Sequence, residues 1–80
     1  MSSPTIVIYS TPTCPYCRLE KDFLKEHKFA FTEVNVAEDT QAAQEMIMKS
    51  GQSGVPVTLV GGKVVVGFDK PALKRLLNIP

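Results

Sequence analysis

Two cysteines three positions apart, Cys14 and Cys17, are the residues in this sequence best suited to carry out chemistry. They are the only cysteines in a chain of 80 residues. A disulfide between them would close a loop too small to stabilise a fold appreciably. In a reducing compartment, a C-x-x-C pair is more typical of a catalytic or metal-binding site than of a structural crosslink. The spacing therefore indicates thiol chemistry or metal ligation.

The cysteine pair is predicted to lie where a strand is followed by a helix. Residues 5–10 form an apolar, β-branched run that is typical of a strand buried on both faces. Pro15 suits the first helical position, because its missing N–H would be unpaired there in any case, and Cys14 then becomes the N-cap. Apolar residues recur at helical spacing and predict an amphipathic helix that runs to about Lys28, with its apolar positions at Tyr16, Leu19, Phe23 and Leu24.

The rest of the chain supplies three more strands and two more helices. The patterns predict a strand over residues 29–36, a helix from the N-cap Asp39 to about Ser50, strands over 57–60 and 63–66 joined by Gly61-Gly62, and a last helix capped by Asp69. The first β-α-β unit must be parallel with a right-handed crossover, whereas the later hairpin must be antiparallel. We therefore expect an α/β fold of order β-α-β-α-β-β-α, with helices on both faces of a four-stranded mixed sheet, in one domain over residues 1–80.

The composition excludes several classes of protein. Hydrophobic residues make up 44% of the chain, which is too many for a disordered segment. The net charge of +1 gives no electrostatic reason to expect nucleic acid or an anionic membrane as a partner. The longest purely apolar run, residues 6–9, is far shorter than the roughly 20 residues that span a bilayer, and residues 1–4 lack the basic region of a secretory signal. We expect a cytoplasmic monomer that binds neither nucleic acid nor membranes.

Their positions relative to the helix predict different roles for the two thiols. Cys14 would face the unpaired N–H groups at the helix start and the positive end of the helix dipole, which favour its thiolate form. Only a thiolate attacks disulfides, so Cys14 is the expected nucleophile. Cys17 lies one turn into the helix, where it is more covered, and it would resolve the mixed disulfide that Cys14 forms.

A metal site is the competing interpretation of the cysteine pair. Structural zinc takes four ligands, whereas the chain has two cysteines and one histidine. His27 is ten residues beyond Cys17, on the order of 15 Å along the predicted helix, so a single ion cannot bind both. A metal would need a second subunit or an outside thiol. We therefore predict no metal site within the chain and an exposed helix-end position for His27.

The residues around the cysteines form a longer motif. The segment Tyr9-Ser10-Thr11-Pro12-Thr13-Cys14-Pro15-Tyr16-Cys17 resembles the active site of glutaredoxins, whose dithiol members carry Cys-Pro-Tyr-Cys. Val55-Pro56 resembles the cis-proline loop of that family, and Gly67-Phe68-Asp69 resembles its segment before the last helix. The resemblance spans roughly residues 5–77 and implies the thioredoxin fold.

The same resemblance implies a thiol–disulfide oxidoreductase, with Cys14 as nucleophile and Cys17 as resolving thiol. Its substrates would be disulfide-bearing or glutathionylated proteins. Glutathione or a flavoprotein disulfide reductase would regenerate it, and no tightly bound cofactor is expected. Two alternatives stay open. One is a dedicated electron donor reduced by thioredoxin reductase, for example for ribonucleotide reductase. The other is a dimer in which Cys14 and glutathione from two subunits hold an iron–sulfur cluster.

A groove beside the cysteines is also implied by the resemblance. With a cis bond before Pro56, the N–H and C=O of Val55 would pair like a strand with a bound peptide or glutathione. The N–H groups of Phe68 and Asp69, at a helix start, would bind the γ-glutamyl end together with the Asp69 carboxylate. Tyr16 would line the groove. Plain N-capping by Asp69 and packing of the Tyr16 ring at the helix start are the alternative roles of these two residues.

Several positions depart from the glutathione-using pattern. Thr11 stands where the family often has Lys, Gly54 where Thr usually precedes Val-Pro, Val66 where the first glycine of a Gly-Gly pair is usual, and Phe68 where a small residue is usual. Such departures resemble those of small redoxins that thioredoxin reductase reduces. Gln52 is either a polar contact in the groove or a solvated loop residue. The choice of reductant is therefore expected to depend on a few groove positions.

Overall fold

Four strands and three helices follow one another along residues 5–79, the part of the chain that the computed structural model describes. They are β1 (Ile6–Ser10), α1 (Pro15–Glu26), β2 (Thr32–Asn35), α2 (Thr40–Ser50), β3 (Val57–Val60), β4 (Lys63–Val66) and α3 (Lys70–Leu77). This order confirms the predicted arrangement. No helix within the described range is long and apolar enough to cross a membrane. The prediction made for residues 1–4 lies outside the described residues.

The end of α1 differs from the prediction and shortens the following strand. The helix ends at Glu26, and Lys28 adopts a left-handed backbone conformation with a φ of 62°. The N–H of Phe29 donates to the carbonyl of Leu24 at 2.9 Å, a bond characteristic of a Schellman helix end. The predicted helix to Lys28 is therefore too long, and the strand predicted over residues 29–36 occupies only Thr32–Asn35.

The strands form one mixed sheet in the order β2-β1-β3-β4. β1 runs parallel to β2 and antiparallel to β3, and β3 and β4 form an antiparallel hairpin. Gly61 and Gly62 have φ values of 57° and 88°, which a two-residue turn of this kind requires. Tyr9 near the end of β1 pairs with Val57 at the start of β3. The loop after β1 and the loop before β3 therefore lie together at the same end of the two central strands.

The helices cover both faces of the sheet, as predicted. On one face, α1 and α3 pack through the buried residues Ile6, Phe23, Leu24, Val60, Val65, Leu73 and Leu77. On the other face, α2 packs through Ala42 and Met46 against Tyr9 and Val57. Each fully buried aliphatic or aromatic side chain contributes roughly 1.5–3 kcal/mol relative to an exposed one. Both cysteines are free, so these two clusters hold the fold together without a crosslink.

Candidate active site

Cys14 begins helix α1 from its N-cap position. Its backbone is extended, with φ −93° and ψ 111°, and Pro15 follows as the first helical residue. The N–H of Cys17 donates to the Cys14 sulfur at 3.2 Å, and the N–H of Cys14 donates to the carbonyl of Thr11 at 3.4 Å. The sulfur thus occupies the place of a capping oxygen. This confirms the predicted N-cap and gives the sulfur a backbone donor that a thiolate would accept more strongly.

Cys17 is buried against the sheet, with 1% of its surface exposed, whereas Cys14 is half-buried. Burial raises the pKa of the Cys17 thiol far above its ordinary value, and the hydrogen bond with Cys14 and the charges of Cys14 and Glu20 act in the same direction. A hydrogen bond with the Thr11 backbone opposes the rise. The two thiols therefore differ in the way their helix positions predicted: one is accessible, and the other is covered and held in its protonated form.

The loop before β3 brings backbone next to Cys14. The peptide bond between Val55 and Pro56 is cis, as expected. The Cys14 thiol donates to the carbonyl of Val55 at a sulfur–oxygen distance of 3.8 Å. Pro56 is buried, and its carbonyl accepts a hydrogen bond from the N–H of Gly67 at 2.8 Å. The cysteine loop, the Val55 loop and the segment before α3 are therefore joined around one site.

Gln52 organises the loop that leads to Val55. Its side-chain amide nitrogen donates to the carbonyl of Gly54 at 3.0 Å, and its amide oxygen accepts from the N–H of Gly54 at 2.7 Å. A Cβ atom at position 54 would lie 2.8 Å from that oxygen. A side chain at position 54 would therefore displace the Gln52 amide from these hydrogen bonds. A direct contact between Gln52 and a bound substrate stays a prediction.

The segment before α3 places Phe68 and Asp69 in different surroundings. The Phe68 ring packs edge-on against Phe23 of α1, with centroids 5.9 Å apart, and the hollow that it lines there includes neither cysteine. The Asp69 carboxylate accepts from the N–H of Ala72 at 3.2 Å, which confirms its N-cap role. Backbone contacts of these two residues with glutathione stay predictions.

The surface around Cys14 is a shallow hollow formed by Pro12, Thr13, Cys14, Pro15, Arg18 and Leu19. Tyr16 does not line it. The Tyr16 ring is 62% exposed, so it is not packed at the helix start. A role for Tyr16 in contacting a bound substrate stays a prediction.

His27 lies at the other end of α1 from the cysteines. It is exposed, and its ring packs edge-on against Phe23 with centroids 4.7 Å apart. Within residues 5–79, no group of three or more His, Cys, Asp or Glu side chains is arranged to hold a metal ion. The exposed helix-end position predicted for His27 is confirmed.

Glu20 is a residue of the site that the sequence analysis missed. It lies on α1 three positions after Cys17, and its side chain is 0% exposed. The hydroxyl of Thr58, on β3, donates a hydrogen bond to its carboxylate. The predicted apolar positions Tyr16 and Leu19 are exposed instead. The signal in the sequence is the spacing of Cys17, Glu20 and Leu24, which defines a stripe containing one acidic residue.

Comparison with known proteins gives the family. Residues 6–65 match the family model for glutaredoxin. A glutaredoxin-like 8.6 kDa protein in the rubredoxin operon of Clostridium pasteurianum is 47% identical over 73 residues, which cover 91% of this chain and 97% of that protein.

Two solved structures are similar over nearly the whole chain. The thioredoxin-like protein BC3987 is 33% identical, with a TM-score of 0.85 over 91% of this chain and 100% of that one. The glutaredoxin-like protein NrdH-redoxin of Escherichia coli, which is described as having a thioredoxin-like activity profile, is 28% identical, with a TM-score of 0.82 over 95% of this chain and 99% of that one. The chain has the thioredoxin fold, belongs to the glutaredoxin family, and is a thiol–disulfide oxidoreductase.

Proposed function

We propose that the chain reduces disulfides in proteins through Cys14 and Cys17, with glutathione as the reductant. The observation that carries this proposal is the contact between the Cys14 thiol and the Val55 carbonyl, at 3.8 Å. It sets the backbone of the loop before β3 beside an accessible thiol. A substrate strand that pairs with Val55 would bring its own disulfide to Cys14.

The reaction has two thiol–disulfide exchanges and a regeneration. The Cys14 thiolate attacks one sulfur of the substrate disulfide, so that a Cys14–substrate bond forms and the other substrate sulfur leaves as a thiolate. Cys17 then attacks Cys14, which forms the Cys14–Cys17 disulfide and releases the second substrate thiol. Two glutathione molecules return the enzyme to its dithiol form and become glutathione disulfide.

In this proposal glutathione lies between the Val55 backbone and the start of α3. Support comes from the hydrogen bond between the Gly67 N–H and the Pro56 carbonyl, which joins these two segments. The Asp69 carboxylate and the Phe68 N–H would bind the γ-glutamyl end, because a helix start favours the carboxylate there. The Asp69 N–H would join them by releasing the Gly67 carbonyl, to which it donates at 3.1 Å. Tyr16, which is exposed, would cover the bound peptide.

A second candidate is a flavoprotein, thioredoxin reductase, in place of glutathione. The similarity to NrdH-redoxin over 99% of that protein favours it. Thr11 also favours it, because a lysine at this position would supply a cation for a glutathione carboxylate and threonine does not.

One assay separates the two reductants. The same protein disulfide is supplied in both arms, and NADPH consumption is followed with glutathione plus glutathione reductase in one arm and with thioredoxin reductase in the other. We expect the faster rate with glutathione. Turnover confined to the thioredoxin reductase arm would replace the first candidate with the second, and turnover in neither arm would contradict both.

A further inference from the structure

A buried carboxylate lies one helical turn beyond the cysteine pair. Glu20 is 0% exposed on the side of α1 that faces the sheet. The Thr58 hydroxyl donates to its Oε2 atom, while its Oε1 atom is buried without a hydrogen-bond partner among the described residues. An unpaired buried oxygen of this kind costs free energy. Stability alone therefore does not explain glutamate at this position.

Glu20 and Cys17 share the buried stripe of α1. Side chains three positions apart are neighbours on a helix surface. Helical side chains also lean toward the N-terminus, which from Glu20 is the direction of the turn that carries Cys17. Burial and, to a smaller extent, the charge of Glu20 raise the pKa of the Cys17 thiol. The stripe thus carries a buried carboxyl group one turn from a buried thiol whose pKa is raised.

The second exchange of the proposed reaction needs a base. Cys17 must lose its proton to attack Cys14, but it is 1% exposed and a bound protein substrate would cover the surface above it further. We propose that Glu20 is the general base for this step: its carboxylate accepts the Cys17 proton as Cys17 attacks the mixed disulfide on Cys14. The inference rests on the proposed function, in which Cys17 is the resolving thiol.

The step balances without a further reactant. The Cys17 proton passes to Glu20, the bond between the Cys17 and Cys14 sulfurs forms, and the bond between Cys14 and the substrate sulfur breaks. The electron pair of that bond leaves with the substrate thiolate, so the substrate is reduced and the cysteine pair is oxidised. Glu20 returns its proton when the enzyme is next reduced.

The ionisation of Glu20 suits this role. Burial raises the pKa of its carboxyl to about 7, and the hydrogen bond from Thr58 opposes the rise. A base whose pKa lies near the working pH can both accept a proton and release it again. The hydrogen bond also fixes Oε2, which leaves Oε1 as the free acceptor.

The other ionisable groups on this side of the sheet lie in different surroundings. On β2, Glu33 projects to the same face, and it is paired with Lys21 at 2.7 Å and with the Ser10 hydroxyl at 2.8 Å. The residues of β1 and β3 on this face carry no ionisable group, and the ionisable residues at the ends of the facing elements are exposed: Lys63, Asp69, Lys70, Lys74 and Arg75. Cys17 is the ionisable group of α1 that shares the buried stripe with Glu20.

Release of a coloured thiolate from dithiobis(nitrobenzoate) tests the proposal. Reduced protein releases it in two phases in a stopped-flow experiment, the first from attack by Cys14 and the second from attack by Cys17. We expect Glu20→Gln to slow the second phase about tenfold or more near neutral pH and to leave the first within about twofold. The wild-type second phase should accelerate as a group with a pKa near 7 ionises. That inflection should be absent from Glu20→Gln, and the two proteins should converge at high pH.

Two further variants keep the test decisive. Glu33→Gln removes a carboxylate from the same sheet face and should leave both phases unchanged. Glu20→Asp keeps a carboxylate and should retain the inflection. If Glu20→Gln does not fold, absence of the inflection from Glu20→Asp would overturn the role of Glu20. An unchanged second phase in Glu20→Gln, or a slowing by the same factor at every pH, would overturn the role of Glu20. Failure of the proposed function would give a different result. Wild type would release a single equivalent of the coloured thiolate, or Cys17→Ser would release a second equivalent as fast as wild type does.

Discussion

At the scale of single residues, the two thiols differ in what can reach them. Cys14 is half-buried beside the Val55 carbonyl, and Cys17 is covered by α1 and the sheet. A substrate disulfide can therefore react directly with Cys14, whereas Cys17 can react only with the mixed disulfide that Cys14 has already formed. We therefore expect different effects on activity when each of the two cysteines is replaced.

Replacing each cysteine with serine should have distinct effects on two substrates. Cys14→Ser should abolish reduction of protein disulfides and of glutathione mixed disulfides, because a serine hydroxyl does not ionise near neutral pH. Cys17→Ser should keep the reduction of glutathione mixed disulfides, where a second glutathione can resolve the intermediate, and should lose reduction of protein disulfides. Both are measured as initial rates with the two substrates. Substantial activity in Cys14→Ser would contradict the assignment.

Residue roles that depend on local spacing were predictable, and those that depend on distant partners were not. The Cys14 and Asp69 caps follow from residue type next to a helix start. Glu20 has the residue type of a solvent-exposed helical position, and its burial depends on Thr58, which is 38 residues further along the chain. Gln52 is similar, because its pairing with Gly54 requires a loop conformation that composition does not specify.

At the scale of secondary-structure elements, the three helix starts were predicted correctly and the surroundings of α1 less well. Each start is a local signal: a capping side chain followed by unpaired N–H groups. The end of α1 depends on Lys28 adopting a positive φ, which lysine rarely does. The buried face of α1 was also displaced, because Cys17 and Glu20 take the positions expected for Tyr16 and Leu19.

Two capping aspartates allow a matched test of the glutathione site. Asp39 caps α2 through the N–H of Ala42 at 3.0 Å, and Asp69 caps α3 through the N–H of Ala72 at 3.2 Å. Replacing either with alanine should lower the free energy of unfolding by about 1 kcal/mol. Only Asp69→Ala should also raise the KM for glutathione, because only that carboxylate is proposed to bind it. Equal KM values in both variants would limit Asp69 to capping.

At the scale of the whole molecule, the mixed sheet was predictable but the order of its strands was not. Both hairpin strands have a β-branched sequence, so either could have paired with β1. β3 is nearly all buried and β4 is mostly exposed, and this difference places β3 in the centre. Burial of that kind depends on how α2 and α1 pack, which lies outside any local pattern.

The buried Glu20 should make stability depend on pH. Its carboxyl pKa is raised from 4.5 to about 7 in the folded protein, so the folded state binds more protons than the unfolded state between these values. The free energy of unfolding should therefore fall as the pH rises through this range. Relative to wild type, Glu20→Gln should be more stable by on the order of 2–3 kcal/mol near pH 8 and nearly equal near pH 4.

Urea denaturation of the two reduced proteins at both pH values measures this effect. Glu33→Gln is the matched control, since the pKa of that carboxyl is lowered, chiefly by its hydrogen bond from Lys21. The contribution of Glu33 to the pH dependence of stability has the opposite sign, because its pKa is lowered rather than raised. That contribution is small, because Glu33 is exposed to solvent. A stability difference between wild type and Glu20→Gln that is the same at both pH values would exclude ionisation of Glu20 as the cause.

The central place of β1 in the sheet affects how the molecule responds to its own redox cycle. β1 is hydrogen-bonded to a strand on each side and leads directly into the loop that carries Cys14. Its amide protons can exchange with solvent only when the sheet itself opens. Oxidation alters bonding only at the first turn of α1, which lies beyond the end of that strand. Hydrogen exchange in β1 should therefore report global unfolding alone in both redox states. The exchange rates of these amides are then an internal reference with which the exchange rates of amides near the cysteines can be compared.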